Sequence, residues 1–230
     1  VASFVGHPNN QVDVEPLDHT PVIKSVQADG QTGPYITSPS QPITITAAGT
    51  VSVPDPTSLG YGSANTIDRD YGFGATEPTV YINGVALPEG QVTLNGDGTV
   101  TITVGASLAA GQTGQLTVRR ADNGLLTPIG VTLTHAGPGT VRQVYPRDSG
   151  VSPDNVTTFT SIQEAVDAAN PGDLVLVAPG NYYENVVLWK PLRLQGAGAG
   201  TYATGAGSVI HANPVPTERA QQWIDKIETV

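Results

Sequence analysis

The sequence predicts a mainly β chain in two parts: a sandwich of short antiparallel strands, then stacked coils under a capping helix. Three observations carry this. Between Val22 and His135, short alternating apolar runs are separated by turn residues. At Ser161–Ala169 the apolar residues fall on one helical stripe. After it, strand-sized apolar runs begin at Leu174, Leu192 and Val209, about every 17–18 residues, a spacing suited to stacked coils rather than a closed sandwich.

Composition agrees. Of 230 residues, 38% are hydrophobic and only 13% charged, with 27 Gly and 19 Pro, as in an all-β extracellular protein rich in turns. The net charge of −10 argues against nucleic acid, because little here would neutralise phosphates. Lys24, Lys190 and Lys226 are the only lysines, too few for a polybasic membrane patch. No apolar run reaches about 18 residues, so no membrane insertion is expected. With no cysteine, disulfides and thiolate metal sites are excluded. Methionine is absent even at position 1, so the chain is expected to begin at a processed or cut end.

Residues 1–21 are an irregular, acidic lead: a linker, a first strand, or the tail of a preceding domain. A metal site there would need His7 and His19 to converge with Asp13, Glu15 or Asp18, and their spacing fits no compact ligand pattern.

Residues 22–136 read as an immunoglobulin-like β-sandwich. Pro42–Thr46 alternates. Thr79–Ile82 runs into Asn83-Gly84, the signal of a type I′ hairpin. Val92–Leu94 meets the turn Asn95–Gly98, and Thr99–Val104 alternates again. Gln115–Arg119, the turn Asp122-Asn123-Gly124 and Gly130–Thr134 complete the set. Pro54–Asp70 is longer than an inter-strand loop needs to be. Tyr71–Gly74 followed by Thr79–Val85, with Thr99–Val104 and Gly111–Val118 behind, resembles an IPT/TIG-type immunoglobulin-like domain.

Residues 137–157 form a junction, with Val141–Tyr145 a candidate first coil strand. Residues 158–230 begin with a helix whose start, Ser161 and Glu164, fits a capping box. Ile162, Ala165, Val166 and Ala169 make its apolar stripe, and Pro171-Gly172 ends it. Leu174–Val177, Val186–Leu188, Leu192–Leu194 and Val209-Ile210 are strand-sized. A final helix at Thr217–Val230 would turn Ala220, Trp223, Ile224 and Ile227 to one side, to cover an open coil end.

The run Ile162–Val166, Ala168-Ala169, Pro171–Asp173, Val177–Tyr182, Glu184–Val186, Lys190–Leu192 and Gln195-Gly196 resembles the cap and first coils of the right-handed parallel β-helix family of pectate lyases and pectin methylesterases. The resemblance implies that fold over roughly 55 residues. It implies less about activity, because caps and early coils are scaffold. That family's catalytic Asp and Arg residues lie on later coils. Here Asp173 falls in the cap turn and Arg193 on an early strand, so no catalytic residue is assigned.

Asp68 and Asp70, two residues apart around Arg69, are the best calcium candidates; the competing reading is a salt-bridged loop. No other cofactor is expected. Tyr61, Tyr71, Tyr145, Tyr182, Tyr183, Tyr202 and Trp189 are candidates for stacking on sugars or, as readily, within the fold. Asn155-Val156-Thr157 matches the N-glycosylation acceptor, a pattern that matters in a eukaryotic secretory setting.

These features point to a non-catalytic extracellular or cell-surface module of a larger secreted bacterial protein, with polysaccharide or the rest of that polypeptide as partner. The alternatives are a truncated polysaccharide lyase or esterase, and an accessory region of a metal-handling or multicopper oxidase-type surface protein.

Overall fold

Alternation becomes burial along several strands. Ile43 and Ile45 are fully buried while Thr44 between them is exposed, as a pleated strand requires. The computed structural model describes residues 4–6, 12–14, 16–31, 33–55, 66–96, 98–137, 139–196 and 207–212, and residues 220, 221, 224, 225, 227 and 228.

In chain order the first strands are β1 (Phe4–Gly6), β2 (Val12–Val14), β3 (Ile23–Ala28), β4 (Tyr35–Ile36), β5 (Ile43–Ala47), β6 (Gly49–Pro54) and β7 (Thr66–Tyr71). They are followed by β8 (Thr79–Ile82), β9 (Val85–Ala86), β10 (Val92–Leu94), β11 (Thr99–Ile102), β12 (Thr113–Arg119) and β13 (Val131–His135). Then come β14 (Val141–Val144), β15 (Thr158–Phe159), helix α1 (Ile162–Ala168), β16 (Leu174–Val177), β17 (Gly180–Tyr183), β18 (Arg193–Gly196) and β19 (Ser208–His211). The described chain is thus mainly β, in several sheets. Cα proximity divides it into two units. One is Val1–Asp29, Pro42–Ser107 and Gln115–Val131; the other is Gly30–Gln41, Leu108–Gly114 and Thr132–Val230.

The first unit is antiparallel. The order β10-β11-β5-β3 places Val100 opposite Ile45 and Ile102 opposite Ile43. β12 pairs with β8, Val118 opposite Val80 and Leu116 opposite Ile82, and all four are buried. Asn83 (φ 52°) and Gly84 (φ 78°) close the β8–β9 hairpin in the expected left-handed pair. β1 and β2 form a hairpin within the lead.

The region read as a long loop contains another hairpin. β6 and β7 pair from Gly49↔Tyr71 to Pro54↔Thr66. Tyr71 and Val53 bury against Val22 on its inner side. Asp68 and Asp70 therefore stand on a strand rather than in a loop.

The second unit is parallel. The order is β15-β14-β16-β18, with Val141↔Leu174 and Leu174↔Arg193 in register, and β17 pairs in parallel with β19. Parallel neighbours need a crossover, and α1 lies in the one that joins β14 to β16. Its stripe Ile162, Ala165 and Val166, with Ala169, packs with Val144, Phe159, Val175, Val177 and Tyr182. Its burial stabilises the unit at about 25 cal/mol per Å² of apolar area removed from water.

Three expectations are corrected here. Val186–Leu188 is not a strand: residues 184–189 run in irregular conformation, and Gln163 of α1 accepts a hydrogen bond from Val187 N at 2.7 Å. Val209-Ile210 does not follow Leu192–Leu194 in the same sheet, because β19 pairs with β17. Residues 220, 221, 224, 225 and 227 are helical as expected, but Ile224 and Ile227 are exposed, so neither covers a coil end. Trp223 lies outside the described residues.

Candidate functional site

Side chains on strands take their direction from the pleat, so Asp68 and Asp70 share a face of β7. Asp68 accepts a hydrogen bond from Ser52 on β6 at 2.5 Å. Asp70 is engaged by a cation: Arg120, 4% exposed, donates from Nη1 to Asp70 Oδ2 at 2.9 Å and from Nη2 to Asp122 Oδ2 at 2.7 Å. Burial opposes ionisation of Asp70, but hydrogen bonds from Arg120 and Gly72 N–H and the guanidinium charge outweigh it and lower its pKa. The Arg120 hydrogen bond likewise lowers Asp122. Arg69 instead donates to the Pro16 carbonyl at 2.8 Å.

His19 (φ 64°) sits beside this cluster, its Nδ1 3.1 Å from Asp18 Oδ2. Asp18 Oδ1 also accepts from Asp70 N at 2.8 Å. His7 lies outside the described residues. Among the described residues, no group of three or more His, Cys, Asp or Glu side chains could hold a metal ion.

The aromatic candidates sort by burial. Tyr71 and Tyr182 are 1% and 3% exposed and belong to the core. Burial, aided by the Glu184 and Asp148 carboxylates and by Tyr145, raises the Tyr182 phenol pKa. The phenol therefore stays protonated and donates toward the carbonyls of Ala178 (2.9 Å) and Val144 (3.2 Å). Trp189 packs against the α1 core and donates to Asp167 at 2.9 Å. Tyr145 is half-buried and donates to Gln143 at 2.5 Å. Tyr61 and Tyr202 lie outside the described residues.

Tyr183 differs. It is 63% exposed, on the outward face of β17, and its ring stacks on His211 with centroids 4.7 Å apart and planes 16° apart. The register produces this pair, because Tyr183 is the partner of His211 across β17 and β19. Two residues back, the Asn181 side-chain oxygen is 2.9 Å from His211 Nε2. A cleft of about 660 Å³ adjoins, lined by Arg147, Asp148, Thr160, Asn181, Tyr183 and Glu184 among others. A flat ring pair beside an open polar cleft suits a ligand with one apolar face and a polar edge.

Glu184 is committed to the fold. Its carboxylate accepts from Ile162 N (2.8 Å), Gln163 N (3.0 Å) and Ser161 Oγ (2.9 Å), capping the start of α1. The capping box is therefore half realised: Ser161 accepts from Glu164 N at 3.4 Å, while Glu184 supplies the anionic partner. Lys190 donates to the Asp167 and Ala169 carbonyls at the other end, so opposite charges sit at the two poles of the helix dipole.

Sequence reasoning named Tyr183 but missed His211. An alternating strand at 208–211 signals that His211 points outward with Val209, but nothing local tells which strand lies beside it. Among the described residues, no helix is long and apolar enough to cross a membrane. No family model matches the chain, and no solved structure matches it. A stretch of 44 residues, 18% of the chain, is 46% identical to a cell surface glycoprotein of Methanothermus fervidus, and the match spans 7% of that protein's length.

Proposed function

We propose that this chain is a non-catalytic module of a cell-surface protein and that the Tyr183–His211 face contacts polysaccharide. The exposed stacked pair carries the binding part of this reading. A pyranose ring lays its C–H face on such a platform, while Asn181, Arg147 and Asp148 offer donors and acceptors to its hydroxyls. The surface part is supported by the partial likeness to a cell surface glycoprotein and by the acidic, cysteine-free composition.

On this reading the second unit is the start of a right-handed parallel β-helix, supported by the in-register parallel pairs β14-β16-β18 and β17-β19 and by α1 as the lid on the first coil. The antiparallel order β10-β11-β5-β3 and the antiparallel pairs β12-β8 and β8-β9 support the immunoglobulin-like, IPT/TIG-type sandwich.

The test is co-sedimentation of the chain with insoluble cell-wall polysaccharides, followed by titration against the soluble fragments of any that bind. Tyr183→Ala and His211→Ala should each weaken binding about tenfold, the equivalent of a stacking contact of about 1.4 kcal/mol. Binding unchanged by both substitutions, or no retention on any polysaccharide, rejects this face. Turnover of a uronate polymer by the purified chain rejects the non-catalytic reading.

A further inference from the structure

Asn155-Val156-Thr157 is the one N-x-Ser/Thr sequence in the chain without proline in the middle. Its place in the fold gives that pattern substance. Asn155, Val156 and Thr157 are all exposed, in the loop that leads into β15. Asn155 adopts φ 56°, a left-handed conformation that asparagine tolerates better than most residues. The turn is built by its neighbour. Asp154 Oδ1 accepts from Val156 N (2.9 Å), Thr157 N (2.8 Å) and Thr158 N (2.7 Å), and Oδ2 accepts from Thr157 Oγ1 (2.8 Å). Those bonds, the one from Val156 first, hold the Asp154 carboxyl well below the ordinary carboxylate range.

The Asn155 backbone closes the same turn, its N–H 3.1 Å from the Thr158 carbonyl. The Asn155 side-chain amide makes no hydrogen bond among the described residues. Asn155 is exposed, so a substituent on its amide would break no hydrogen bond among the described residues.

We infer that Asn155 is an acceptor for N-linked glycan. In the transfer, Asn155 Nδ2 attacks the anomeric carbon of an oligosaccharide carried on a lipid phosphate. The C1–N bond forms as the C1–O bond to phosphate breaks. The Nδ2 proton passes to a base of the membrane transferase, and the lipid phosphate departs with the bonding electrons. Thr157 supplies the hydroxyl that the acceptor pattern requires two residues on. The inference goes beyond the surface reading and rests on it in one respect: only an exported chain meets the transferase.

The experiment therefore supplies export independently. The full chain is fused to a heterologous leader, secreted from a host with N-glycosylation, and digested; the peptide containing Asn155 is weighed beside a control glycoprotein from the same cells. The expected result is a glycan-sized mass increase on that peptide, retained in Thr157→Ser and lost in Asn155→Gln and Thr157→Ala. An unmodified Asn155 peptide beside a modified control overturns the inference. So does a mass increase that survives Asn155→Gln. Protease shaving of intact native cells tests the surface reading separately.

Discussion

Arg142 and Asp173 form an ion pair inside the parallel unit, with Nη2 and Nε each 3.2 Å from Oδ2 and side chains 8% and 4% exposed. The carboxylate also accepts from Thr140 N and Asn170 N, both at 2.8 Å, joining the entry to β14 to the exit of α1. Removing one partner strands a buried charge. Asp173→Ala should cost about 3–5 kcal/mol of unfolding free energy. Urea denaturation followed by far-UV circular dichroism measures it, and a loss under about 1 kcal/mol would show that the pair is dispensable.

Glu184, rather than Glu164, supplies the carboxylate that caps the start of α1, although Glu164 also stands in the first turn. Glu184→Ala should destabilise by about 1–2 kcal/mol through the lost cap. Glu164 is exposed, and Glu164→Ala should stay within about 0.5 kcal/mol. Chemical denaturation of the two variants side by side decides; equal effects would restore the simple capping box.

Gly172 holds φ 90° in the turn after α1, with open space where a Cβ would stand. Gly172→Val should therefore lower stability through backbone strain alone, by about 1–2 kcal/mol. Gly180 (φ 147°) is more constrained, because a Cβ there would collide with the Pro146 ring. Melting temperatures should fall further for Gly180→Ala than for Gly172→Ala, and the reverse order would refute the steric argument.

Acid should weaken the first unit through Arg120. Asp70 and Asp122 have lowered pKa values in the folded chain. Their contribution is complete above the unfolded value near 4 and is lost as pH falls through the lower folded values. Both carboxylates are more than a third exposed, so solvent screening keeps the effect modest. The melting temperature of the Asp70→Asn, Asp122→Asn double variant should fall less steeply than wild type between pH 5 and 2. Parallel slopes would exclude the cluster as an acid-sensitive element.

How much of this was legible depended on whether the signal was local. Asn83-Gly84 announces its hairpin because two residues with positive φ suffice to make it. The stripe from Ile162 to Ala169 announces α1 because one face must be apolar. β7 was missed because Thr66, Asp68 and Asp70 turn polar side chains outward and Arg69 breaks the apolar alternation, so the strand reads as loop. Val186–Leu188 misled in the opposite sense: Val186 packs on the α1 cluster and the Val187 N–H bonds Gln163, while Leu188 is exposed, and composition alone reads the run as a strand. Tyr183 and His211 meet only through parallel pairing, which has no turn to mark it. The ion pair of Asp70 with Arg120 joins residues 50 positions apart and was equally invisible.

Glu184 lies 22 residues beyond the first α1 amide it caps. A seven-residue helix is too short to persist alone in water. At about 5–20 residues per second of synthesis, the capping carboxylate is added roughly one to four seconds after the helix residues. During that interval α1 lacks the carboxylate that caps it. The order of synthesis thus sets the capping of α1 after β16 and β17 have been made, although the helix is encoded before them.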